Sequence, residues 1–163
     1  MGILRIPDNM QKKLIIVPSD LFLTKKTAEL CREHFPNRQI SNLLVCRWGK
    51  AWRTKLGHIK PLKNVQFGSL IEINAILADP RVPEFVLEAT LLHELIHYFQ
   101  GFGSNHPRER RHPHRGGAVT NEFKQFGWEE LLKKQQKWVK ENFSKVYFEF
   151  EQKEKSQSAV WLK

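Results

Sequence analysis

Cysteine is scarce: only Cys31 and Cys46 occur, too far apart for a CxxC pair and too few for a disulfide framework. Their scarcity excludes a small stapled secreted scaffold and a four-cysteine zinc ribbon, and leaves buried thiols in a reducing compartment as the reading of the pair. Long apolar runs are missing as well. No stretch approaches the about 20 residues of a spanning helix, and Met1 to Lys13 carries charges and Pro7 where a secretory leader is apolar. The expectation is a cytoplasmic protein with no membrane partner. Carboxylates are in short supply too, 17 Asp and Glu against 27 Lys and Arg, for a formal net charge of +10. A cationic surface attracts polyanions over about a Debye length of 8–10 Å. DNA is therefore an expected partner, weighed against a basic surface that is merely solvated.

What is present suits a packed globular protein. The 163 residues are 40% hydrophobic and 11% aromatic, enough for one domain with a real core. Residues 1–155 are expected to form it, with 156–163 a frayed tail. Ser19-Asp20 ahead of Leu21, Leu23, Leu30 and Phe35 predicts a capped helix stopped by Pro36. Ile40 to Trp48 and Ala51 to Ile59, separated by Gly49, predict the two strands of a hairpin, and Phe67 to Leu77 a third strand. Pro83 then suits the first turn of a helix over Glu84 to Phe99 that is apolar almost all round, hence central and buried. Gly101 to Gly117 predicts a loop, Ala118 to Phe126 a helix, and Trp128 to about Glu151 an amphipathic helix packed on the core.

The buried helix carries the chemistry. His93-Glu94-Leu95-Ile96-His97 is an HExxH pentad, whose first and last residues lie one turn apart on one face, so both imidazoles reach a single ion. Ionisable groups on a buried helix are costly unless paired or metal-bound. Zinc accepts neutral imidazole nitrogens and in catalytic sites keeps one position open for water, whose pKa it lowers toward about 7. Glu94, next to the first ligand, is placed to take that water's proton and return it to a leaving amine. The following loop offers His106, His112 and His114 as a third ligand, and Glu122 on the next helix competes in the manner of gluzincins. His114 is favoured because Gly116-Gly117 just after it predicts a sharp turn that brings the backbone down to the helix.

The sequence resembles the SprT-like group of small zinc metallopeptidases over roughly residues 20–126. The resemblance rests on Ile71-Glu72-Ile73-Asn74 as the strand beside the site, Pro83-Glu84-Phe85 leading into Leu92 to His97, and His114 ahead of Phe123-Lys124. It implies a small zincin-like α+β domain, read here as a three-stranded antiparallel sheet packed on a central HExxH helix with C-terminal helices. It further implies a zinc peptidase with His93, His97 and His114 as ligands and Glu94 as general base, acting on protein or peptide substrates. Eukaryotic relatives of the Spartan type cleave proteins crosslinked to DNA, so DNA-associated proteins are the implied substrates. The strand Leu70 to Ala75 is expected to pair with an extended peptide across the cleft.

A rival reading keeps the metal and drops the catalysis: a metal-stabilised nucleic-acid-binding module. Arg108, Arg110, Arg111 and Arg115, with Lys50 to Lys63 and the nearby Trp48 and Trp52, supply cations and stacking faces for it. Glu94 tells against it, because a structural site needs no base.

Overall fold

The computed structural model describes residues 19–63 and 68–160, the side chains of 158–160 excepted. The Met1 to Lys13 segment and Phe67, the first residue of the expected third strand, lie outside the described residues. Helix α1 (Asp20–His34) begins after Ser19, which has the extended backbone of an N-cap but makes no side-chain cap bond. Asp20 instead accepts from the Trp48 backbone N–H at 2.9 Å, tying the start of α1 to the end of strand β1 (Leu44–Trp48). Leu23, Thr27 and Leu30, at helical spacing, are its buried stripe.

Strands β2 (Gly57–Pro61) and β3 (Ser69–Ile73) complete a sheet in the order β1-β3-β2. The expected hairpin is not formed: β1 and β2 do not pair, and β3 lies between them, parallel to β1 and antiparallel to β2. The fold is α+β as expected, but the sheet is mixed rather than antiparallel. Composition explains the order. Every residue of β3 is buried, whereas β1 and β2 carry Arg47 and Lys60, and a strand covered on both faces takes the most continuously apolar segment while charge goes to the edges. The one charge on β3, Glu72, is satisfied across both neighbours, by Arg47 at 2.8 Å and by Lys60 at 2.5 Å. Burial opposes its ionisation, yet these bonds hold its carboxyl well below the usual range. Asn74 donates to the carbonyls of Trp52 and Lys55, pinning the long β1–β2 connection to the end of β3.

Helix α2 (Glu84–Phe99) follows a 3-10 turn (Ala75–Ala78) and is the centre of the molecule, packed against β2, β3, α1 and two later helices, α3 (Ala118–Gln125) and α4 (Glu129–Trp138). Leu91, Leu92, Leu95 and Ile96 are fully buried on it, so truncating any one of them to alanine costs about 2–5 kcal/mol. The expected single helix after Trp128 is interrupted by a π-helical turn (Val139–Phe143) and continues as α5 (Ser144–Val160). The extra residue in that turn resets the helical phase so that Phe143, Val146 and Tyr147 join the core. Among the described residues, no helix is long and apolar enough to cross a membrane.

Candidate metal centre

His93 and His97 leave α2 one turn apart, and their Nε2 atoms lie 3.1 Å apart. His114 arrives from outside the helix, its ring 5.5 Å from that of His93 and 4.7 Å from that of His97. One nitrogen from each of the three lies within 4.8 Å of the others, close enough to bind one metal ion. Donors about 2.0–2.1 Å from a tetrahedral zinc sit roughly 3.3 Å apart, so the helix pair already stands at ligand spacing and the loop histidine within a small movement of it. The donor chemistry fits as well. Burial, helped by the neighbouring imidazoles, pushes His93 down to about 4 and His97 down to about 3. At neutral pH both rings are unprotonated, the form a metal requires.

Glu94 points into the same region from a buried position, and burial pushes its carboxyl up to about 8, partly offset by the charge of Lys55. Without a cation beside it this carboxyl stays largely protonated at neutral pH, and a dication held by the three imidazoles would favour the ionised form that accepts a proton. Around it lies a cavity of about 760 Å³, bounded by β2, the Thr90 to His97 turns of α2, Phe102 and Arg108 of the loop, and Leu132 and Gln135 of α4. This is an ordinary size for a ligand site. No family model, curated protein or solved structure matches the chain. The site's own geometry therefore carries its reading.

The other three residues considered for the third position stand elsewhere. Glu122 is buried, accepts from Gln100 at 2.8 Å and lies 3.7 Å from the Arg38 guanidinium, so it fastens α3 to the end of α2. His106 meets Ser41 at 3.1 Å and packs on the rings of Tyr98 and Phe99. His112 is exposed in the same loop and outside the cluster.

Two expectations about this region need correction. Gly116 and Gly117 do turn the chain sharply, both at φ 68°, but the space around them is open, so they supply conformation and not close approach. The close approach is at Gly101, where φ is 83° and a Cβ would stand 2.6 Å from the Pro107 carbonyl oxygen. β3 cannot receive a peptide, because both its edges are taken. The sheet edge that borders the cavity belongs to β2, whose one strand partner among the described residues is β3.

Sequence reasoning missed α4 as a wall of the site. Gln135 donates to Thr90 Oγ1 at 2.9 Å and to the Val86 carbonyl at 3.3 Å, clamping α4 onto α2 just before the pentad. An amide next to Leu132 on the apolar side of an amphipathic helix was the available signal. Trp48 is partly buried against the core, and Trp52 packs edge-on to His58 with Lys55 4.1 Å over its ring.

Proposed function

We propose that the chain is a zinc-dependent metallopeptidase of the SprT-like kind, with His93, His97 and His114 holding the metal and Glu94 as general base. The observation that carries this reading is the convergence of a third imidazole, from a loop, on the helical pair beside a buried carboxyl inside a cavity. When bound, zinc polarises a carbonyl and lowers the pKa of a water it binds. Glu94 accepts the proton that the attacking water gives up and passes it to the leaving amide nitrogen. An extended peptide adding to the free edge of β2 would gain main-chain hydrogen bonds there and lie across the mouth of the cavity. Proteins associated with DNA are the substrates this reading extends to, through the basic surface.

The rival reading, a metal-stabilised nucleic-acid module, leaves Glu94 without a task, and a purely structural zinc site closes its fourth position with protein. Glu94→Gln separates the two. The amide keeps the shape but accepts no proton, so hydrolysis of a peptide substrate should fall by about 10²–10⁴-fold while metal content and melting temperature stay near those of the parent. Unchanged turnover in that variant would remove Glu94 as the base.

A further inference from the structure

The walls of the cavity have a charge pattern that the proposed chemistry does not use. Glu94 is the one carboxylate among its described lining residues and is buried, whereas Lys55, Lys60 and Arg108 are cations. Lys60 is spent on Glu72, at 2.5 Å. Lys55 and Arg108 make no ion pair among the described residues. Neither of these two dangles at random. The Lys55 ammonium sits 4.1 Å over the ring of Trp52, and the Arg108 guanidinium 5.0 Å over the ring of Phe102, geometries in which the ring face holds a cation in place while leaving its outer side available.

The backbone fixes both platforms. Trp52 is lodged against Gly49, where any Cβ would strike its ring at 2.2 Å, and the Lys55 carbonyl accepts from Asn74. Phe102 is buried with its ring 5.9 Å from that of His97, and Arg108 is brought in by the close crossing at Gly101. One cation therefore borders the cavity on the β2 side and the other on the side of His97.

Resting on the metallopeptidase reading, we infer that this cleft selects acidic polypeptide: Lys55 and Arg108 are specificity-determining residues that bind Asp or Glu side chains flanking the bond to be cut. A carboxylate entering the cavity meets a preplaced cation on either wall, and a lysine in the same place meets like charge, which costs several-fold in affinity even in solvated surroundings. Guanidinium adds a fork that matches a carboxylate in two bonds.

The test uses full-length, zinc-loaded protein and matched peptides that differ at one residue beside the cleaved bond, Glu, Gln or Lys. The expected order of kcat/KM is Glu above Gln by about tenfold and Gln above Lys, with the Glu-to-Gln ratio shrinking as salt rises. In the Lys55→Met, Arg108→Met double variant that ratio should fall to near one. Both residues are exposed, so folding is not at stake; circular dichroism and metal content confirm it. A ratio near one in the parent, or one that survives both substitutions, overturns the inference. If the parent cleaves none of the peptides, the metallopeptidase reading fails by itself, and fluorescence anisotropy of the same peptides on the zinc-loaded protein still decides the charge preference. If a short oligonucleotide binds and the Glu peptide does not, the cations serve nucleic acid and the inference is wrong.

Discussion

An imidazole supplied by an exposed loop can be removed without disturbing a core, and that makes the proposed third ligand the most testable single residue. His114 is exposed, whereas Glu122 is buried and bonded to Gln100. His114→Ala should lower zinc affinity by well over 100-fold, beyond the about 10–100-fold typical of groups that only orient a ligand, with little change in the melting temperature of the metal-free protein. Glu122→Ala should do the reverse: it strands Gln100 and the nearby Arg38, costing about 1–3 kcal/mol of stability, and changes zinc affinity little. Competition titration with a chelating dye reads the first quantity and thermal melts the second. A larger affinity loss in Glu122→Ala would transfer the ligand role to that carboxylate. The HExxH residues were legible because i and i+4 share a helix face in any sequence. His114 was favoured on a turn whose glycines make no close approach, so the reasoning there was only partly right.

The elements themselves divide along the same line. The α2 helix could be read because its signal is local: Pro83 to start it, apolar residues all round, glycines beyond its end. Strand pairing could not. Segments of five residues such as β1 and β2 carry no mark of which neighbour they will take, and adjacency in sequence suggested a hairpin that the more apolar β3 prevents by occupying the centre. The loop after α2 reaches the site because Gly101 lets it cross its own later residues, and Gly101→Ala tests this. At φ 83° a side chain costs about 1–3 kcal/mol in backbone strain alone, and the Cβ would also meet the Pro107 carbonyl oxygen at 2.6 Å. Gly116→Ala, at φ 68° in open space, should lose only the strain. The expected result in denaturant titrations is a distinctly larger loss for Gly101→Ala, accompanied by weaker zinc binding. Equal losses would mean the crossing contributes nothing to placing His114.

At the scale of the whole molecule, the proposed metal site would tie stability to pH and metal together. His93 and His97 have folded pKa values below 6.5, so their contribution is fully present above 6.5 and is lost as pH falls toward about 4 and about 3. Glu94 has a folded pKa raised to about 8, so its contribution is fully present below 4.5 and is lost as pH rises from 4.5 to about 8. Between 4.5 and 6.5 two imidazoles outweigh one carboxyl. The metal-free protein should therefore draw most stability from this site near pH 6.5, and lose on the order of 2 kcal/mol of it by pH 8, at about 1.4 kcal/mol per pH unit. A bound dication favours ionised Glu94 and removes that loss, so the gap in melting temperature between zinc-loaded and chelated protein should widen from pH 6.5 to 8, and should not widen in Glu94→Gln. A constant gap in the parent would contradict the burial assigned to Glu94. By itself the sequence determined the features set by composition and by residues a turn apart: the buried helix, the two imidazoles and carboxyl on it, the cationic surplus, the α+β class. Only the tertiary structure decided the strand order, which loop residue completes the triad, and that α4 and β2 wall the cavity. Those depend on which distant segments exclude water from one another best, a competition among the whole chain's surfaces that no local pattern encodes.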